Sequence, residues 1–256
     1  MKERFVEIAT PDGRMEAYVT HPEDAGPFPA IVFYSDVLGM REQINEIARR
    51  VGIVGYYCMV PDVYYRSGGI RFDVLRSDSG ARTMHDLDPA KQDIVKAAQR
   101  SLSDTMVVRD SAAIWTFLDG EPVRKGAKGI VGFCMGGRFA LGVAGNYPDQ
   151  VRATAIFHGS NMVNDNADSP HRNAAKAQGE VYCGFPENDP LAPMTTIETL
   201  AKIMKDGAAR YQYQIHKGAE HGYSIPDRPI HHKQASNRDW ERIFAMFHRQ
   251  IPARPV

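Results

Sequence analysis

Apolar positions in this chain fall into short runs of period two and longer stretches near period 3.6, separated by Gly, Pro and polar clusters. Phe5 to Ile8 and Met15 to Thr20 alternate around Pro11-Asp12-Gly13, a turn tripeptide, and predict an antiparallel hairpin at a sheet edge. Ala30 to Tyr34 is a continuous apolar run of the kind found in a strand covered on both faces. A helix over about Arg41 to Val51 and a strand over Gly55 to Val60 complete a strand–helix–strand unit. Between 61 and 102 the periodicity weakens, which predicts an irregular excursion over one end of the sheet.

Regular spacing returns after Ser103-Asp104, a helix cap, and continues to Gly120. Gly129 to Phe133 reads as a strand running straight into a helix, Ala153 to Phe157 as the next strand, and a polar stretch follows to Gly179. Glu180 to Phe185 (strand), Thr195 to Met204 (helix) and Tyr211 to His216 (strand) extend the alternation. Trp240, Ile243, Phe244, Met246 and Phe247 mark an amphipathic C-terminal helix. A hairpin followed by repeated strand–helix units predicts a single α/β domain over 1–256, with a mostly parallel twisted sheet of about eight strands and helices on both faces.

Composition narrows the function without changing that picture. The 31 basic and 31 acidic residues cancel, so no global field recruits nucleic acid or an anionic membrane, and the expected partner is a small molecule. No apolar run approaches the roughly 18 residues of a membrane span, and Met1 to Glu7 mixes charged and apolar residues unlike a signal peptide. Three widely spaced cysteines, Cys58, Cys134 and Cys183, suit a reducing, cytoplasmic setting and form no zinc pattern. No cofactor or metal is expected. Adjacent His231 and His232 read as solvated residues on a helix face, and Cys58 and Cys183 as inert core thiols.

The candidate chemistry centres on Gly132-Phe133-Cys134-Met135-Gly136. This is the Gly-x-nucleophile-x-Gly turn between strand and helix, with cysteine as the nucleophile. A helix N-terminus beneath the thiol favours its ionised form. Function in such sheets sits at the carboxyl ends of strands. Asp36, Asp189 and His221 occupy three other strand ends, and the order Cys134, Asp189, His221 matches nucleophile, acid, base in an α/β-hydrolase arrangement.

These residues resemble the dienelactone hydrolases (carboxymethylenebutenolidases), cysteine-nucleophile members of the α/β-hydrolase fold. The anchors are Gly132 to Gly137, Asn188-Asp189-Pro190, Gly218 to Tyr223, and Asp36-Val37-Leu38-Gly39, within a resemblance running from about Phe5 to Gln250. It implies a Cys134–His221–Asp189 triad cleaving an ester or lactone through a thioester, with the Val37 and Met135 amides as the oxyanion hole. It also implies that Asp36, standing where the family has a glutamate that contacts the thiol, modulates the nucleophile. Its side chain is one methylene shorter, a loss of about 1.5 Å of reach.

The family prototype holds a substrate carboxylate with arginines, one of them soon after the histidine, whereas here Ser224 and Ile225 follow Tyr223. Arg66, Arg71, Arg82 and Arg228 are the remaining arginine candidates. Tyr64, Tyr65, Arg66, Arg82, His158 and Tyr223 are expected to line the pocket. Acyl transfer, peptide or phosphotriester hydrolysis and a non-catalytic scaffold stand as alternatives on the same fold. A phosphate-binding loop does not fit, because Arg138-Phe139 follows Gly137 in place of Lys-Ser/Thr. A monomer or a homodimer is expected.

Overall fold

The computed structural model describes residues 1–70 and 83–253. Eight strands form one sheet: β1 (Lys2–Thr10), β2 (Gly13–His21), β3 (Ala30–Tyr34), β4 (Tyr57–Pro61), β5 (Lys128–Phe133), β6 (Val151–Phe157), β7 (Glu180–Pro186) and β8 (Arg210–His216). Their order is β1-β2-β4-β3-β5-β6-β7-β8. β1 pairs antiparallel with β2, β2 pairs antiparallel with β4, and all later neighbours are parallel. This is the expected α/β-hydrolase architecture with its antiparallel edge hairpin.

The core lies in two layers because the central strands are apolar on both sides. On one face Ile31, Phe33, Val131 and Phe157 pack against α1 (Glu42–Ile53) and the C-terminal helix, through Ile44, Ile47, Ile243 and Phe247. On the other, Val32, Tyr34 and Ile130 meet residues of three helices: α2 (Pro89–Ser101), α3 (Asp104–Leu118) and α4 (Met135–Asn146). A single turn, α5 (His171–Ala174), and then α6 (Met194–Lys205) follow before α7 (Lys233–Gln250) closes the fold.

Two sequence expectations are corrected. The excursion at 61–102 contains α2, whose N-cap Asp88 accepts from Lys91 N at 3.0 Å with Pro89 in the first turn. Only Val95 and Ala98 of that helix are buried, so little of it carries an apolar signal. Helix α7 begins at Lys233, well before Trp240, and His231 and His232 precede it. His232 is a cap, its Nδ1 accepting from Ala235 N at 3.2 Å, so neither histidine sits on the helix face.

The strand-to-helix corner is fixed by backbone crowding. Cys134 occupies φ 53°, ψ −117°, a conformation that L-residues hold only when their surroundings enforce it. A Cβ on Gly132 would overlap the Gly136 carbonyl, and one on Gly136 would overlap the Tyr34 carbonyl at the end of β3. Both glycines are therefore demanded by close approach. Gly136→Ala is expected to destabilise the protein by about 1–3 kcal/mol through overpacking. That corresponds to a fall of several degrees in Tm at about 2–4 °C per kcal/mol, measurable by thermal melting; an unchanged Tm would contradict this account of the corner.

Candidate active site

Three strand ends bring the candidate catalytic groups together. β5 delivers Cys134 at its corner, the loop after β7 delivers Asp189, and the loop after β8 delivers His221. His221 Nε2 lies 3.0 Å from Cys134 Sγ, and His221 Nδ1 lies 2.6 Å from Asp189 Oδ2. The side chain of Asp189 is fully buried, and its other oxygen accepts from Leu191 N at 2.9 Å. The carboxylate is thereby oriented by its own turn before it meets the imidazole.

Charge on each partner favours charge on the other. Burial pushes the Cys134 thiol up, but the adjacent His221 outweighs it and the net displacement is downward. Burial pushes His221 down, yet the Cys134 charge and the Asp189 hydrogen bond reverse this and raise it to about 10. A thiolate facing an imidazolium is the state these displacements favour. Burial alone acts on Cys58 and dominates at Cys183, pushing the Cys58 thiol far up and the Cys183 thiol to about 12, as for inert core thiols.

Val37 and Met135 face the same cavity, of about 780 Å³, that exposes Cys134 and His221. The Val37 amide has no acceptor among the described residues, and Met135, as the first residue of α4, has none within its own helix. Tyr64 does not line this cavity. It packs behind the two backbone segments, its hydroxyl donating to the Val37 carbonyl at 3.2 Å and lying 3.4 Å from Met135 Sδ.

Asp36 is taken up by donors other than the thiol. Oδ1 accepts from Leu38 N at 3.1 Å and Arg41 at 2.6 Å, and Oδ2 accepts from Arg41 at 2.9 Å and Arg228 at 2.6 Å. A carboxylate has about four lone-pair positions, and four donors use them. The thiol is left no acceptor position there. Burial alone would push the Asp36 carboxyl up, but the two arginines hold it far below the usual carboxylate range.

The other pocket expectations divide. Tyr65 and Arg66 lie away from the cavity: the Tyr65 hydroxyl meets Thr10 Oγ1 at 2.7 Å, and Arg66 pairs with Asp110 and Asp12. Tyr223 is buried with its hydroxyl donating to Asp239. His158 is fully buried with Nε2 2.8 Å from Ser224 Oγ, and its ring meets that of His221 edge-on at 5.0 Å. Burial, reinforced by His221 and Arg228, holds His158 well below the usual histidine range, so it is neutral. Aromatic and histidine side chains at strand ends here pack beneath the site. Arg71 and Arg82 lie outside the described residues.

Sequence reading missed much of the cavity wall. Lys96, Gln99 and Arg100 come from α2, whose start was signalled by Asp88-Pro89, while His85 precedes it. Leu191 and Ile230 supply apolar wall, and Arg228 is the arginine candidate that reaches the cavity among the described residues. Ser160 and Asn161, beyond β6, face it too.

A model of the dienelactone hydrolase family matches residues 15–251. The chain belongs to that family. Membership makes it a hydrolase of the ester- and lactone-cleaving class.

A Methylorubrum extorquens relative, provisionally named carboxymethylenebutenolidase, is 26% identical over 243 residues, covering 93% of this chain and 78% of its own. The crystal structure of a provisionally assigned dienelactone hydrolase from Klebsiella pneumoniae superposes with TM-score 0.81 at 22% identity, over 96% of this chain and 98% of that one. A dienelactone hydrolase-like promiscuous phosphotriesterase from metagenomic libraries shares the fold at TM-score 0.76 and 20% identity, over 97% and 98% of the two chains. No helix among the described residues is long and apolar enough to cross a membrane.

The Asp36 cluster yields a stability prediction. Arg41 and Arg228 are nearly buried, at 3% and 7% side-chain exposure. Asp36→Ala leaves both unpaired, which typically costs about 3–5 kcal/mol. Chemical denaturation should report a loss of that size. Because the Asp36 carboxyl is displaced downward, the stability it lends is present above its unfolded-state value and fades only as pH falls through the lower folded value. The parent should therefore be the more stable protein throughout the neutral range. A variant as stable as the parent at pH 7 would contradict the ion cluster.

Proposed function

We propose that this hydrolase works through a Cys134–His221–Asp189 triad and a thioester acyl-enzyme. The observation that carries this is the continuous path from Cys134 Sγ through both ring nitrogens of His221 to the buried Asp189 carboxylate, at 3.0 and 2.6 Å. Sγ, ionised by His221, adds to the carbonyl carbon of an ester or lactone. The carbonyl π electrons move to oxygen, where the Val37 and Met135 amides donate to the new anion. Collapse breaks the bond to the alcohol oxygen, which takes the proton from His221 Nε2, leaving acyl–Sγ. His221 then takes a proton from water as the hydroxide adds to the thioester carbon, and Sγ departs as thiolate. Asp189 keeps Nδ1 protonated and supports the imidazolium in both halves.

Asp36 acts on this chemistry at a distance. Its charge opposes ionisation of Cys134, though less than the pairing with His221 promotes it. The proton therefore moves through the imidazole, while Asp36 holds its own loop in place. Leu38 N, Arg41 and the Gly39 carbonyl, which accepts from Arg41 at 3.1 Å, are all tied to that loop, and Val37 lies within it.

Turnover of aryl esters, enol esters and lactones by Cys134→Ala, with a melt to confirm folding, tests the assignment. Loss of activity by about 10⁴-fold or more is expected, and His221→Ala should be nearly as severe because the members act as a unit. Retention of most esterase activity by folded Cys134→Ala would overturn the thiol mechanism. An aryl phosphotriester belongs in the same screen, since the thiolate could also attack phosphorus; preference for it would replace the carboxylic ester as substrate class.

A further inference from the structure

Beside the nucleophile stands a hydroxyl that the triad does not use. Ser160 Oγ lies 3.8 Å from Cys134 Sγ, within reach of a hydroxyl-to-sulfur hydrogen bond, which is longer than one between oxygens because sulfur is larger. Ser160 is 4% exposed and lines the cavity. Among the described residues Sγ is the sole side-chain or backbone partner found for this hydroxyl. A nearly buried hydroxyl whose one protein partner is the nucleophile calls for an account.

Its placement is enforced by the backbone. Ser160 N donates to the Cys134 carbonyl at 3.1 Å, binding the loop to the corner. The residues on either side of the Gly159-Ser160 pair, His158 and Asn161, hold φ of 38° and 52°. With Cys134, these are the non-glycine residues with positive φ among the described residues. All three gather at the thiol, and each costs conformational energy that surrounding contacts must meet. Gly159 belongs to the same device: a Cβ there would crowd Ile156 and Met162, and one on Gly137 would crowd Gly159 itself. The loop is thus pressed onto the start of α4 with its hydroxyl directed at sulfur.

We propose that Ser160 is a further catalytic residue, its hydroxyl donating a hydrogen bond to the Cys134 sulfur whenever that sulfur carries negative charge. This rests on the thiol mechanism above. The bond exists in the resting thiolate and is lost in the thioester, whose sulfur is a poor acceptor. It forms again as Sγ departs during deacylation, when the bonding electron pair returns to sulfur. No proton is transferred from Ser160 at any point; His221 remains the group that exchanges protons.

Ser160→Ala, Ser160→Thr and the parent distinguish this role from mere packing. The rate of Cys134 alkylation by iodoacetamide and kcat/KM for an aryl acetate are followed from pH 5 to 9 on each protein, with Tm as a check of folding. In Ser160→Ala the acid limb of both profiles should move up together by about one pH unit, a tenfold smaller thiolate fraction at a fixed pH on the limb. The plateau should not fall, because a thiolate one unit more basic is about threefold more nucleophilic. Ser160→Thr, which keeps the hydroxyl, should restore the limb. Should the alanine protein not fold, Ser160→Gly removes the same group.

An acid limb that stays in place, whatever happens to the plateau, overturns the proposal. So does an alanine variant whose only change is a lower plateau, the mark of a displaced loop. Alkylation reports on the thiol without turnover, so failure of the triad, read from active Cys134→Ala, is separable from failure of the Ser160 role.

Discussion

The close crossing of the start of α4 over the end of β3 is the constraint on which the site depends. Gly136 has no room for a side chain above the Tyr34 carbonyl, and Gly132 none beside Gly136. With the helix pressed that far down, the one residue left between β5 and α4 must turn sharply, and Cys134 takes up a strained φ of 53°. A less crowded corner would let the thiol relax toward the core, as Cys58 and Cys183 have done. The same crossing brings two chain segments together at the cavity, the Val37 loop that follows β3 and the first turn of α4 that follows Cys134. The packing thus sets side by side a helix N-terminus and a turn amide that are both short of acceptors among the described residues.

Electrostatics then selects among the groups that packing has gathered. Three imidazole-bearing residues lie near one another around Tyr223: His158, His216 and His221. Only His221 has a partner at each end that gains from its protonation, a thiol on one side and a carboxylate on the other. His158 has a serine hydroxyl and a fully buried ring, so it remains neutral and adds no repulsion to the imidazolium it touches edge-on. His216 gives its Nε2 to Asp239, which also collects the hydroxyls of Tyr182 and Tyr223. That network ties the base of the His221 loop to α7, so one buried carboxylate holds the imidazole and another holds the loop that carries it.

The fold was legible because its signals are local. Gly-rich turns, two-sided apolar strands and the order of strand ends are each contained within a few residues, and every strand from Ala30 onward follows from them. The grouping of Cys134, Asp189 and His221 was legible for the same reason, since each follows closely on the end of a strand. Helix α2 was not, because it is largely polar and buries only Val95 and Ala98; Asp88-Pro89 was the readable sign. The pocket wall was illegible in a deeper sense. Tyr64, Tyr65 and Tyr223 occupy positions near strand ends that look like lining, but whether such a side chain points into the cavity or beneath it depends on the curl of the following loop. Ser160 is directed at sulfur by φ values at His158 and Asn161 that nothing in those residue types announces.

Asp36 shows how a one-carbon change can reassign a residue. A carboxylate on a longer stem would reach outward from the end of β3 toward the thiol, as the family pattern implies. The aspartate is short enough to fold back on its own loop, where Leu38 N two residues on and Arg41 five residues on are the nearest donors. Arg228, from the segment before α7, then supplies the fourth bond. Once saturated, the carboxylate can neither accept the thiol proton nor pay the cost of releasing its arginines, whose separation would leave charges stranded in a poorly solvated site. The group best placed to act as base is consequently the imidazole, which lies 3.0 Å from the sulfur. The shorter side chain thus commits Asp36 to holding together its own loop, the one that carries Val37.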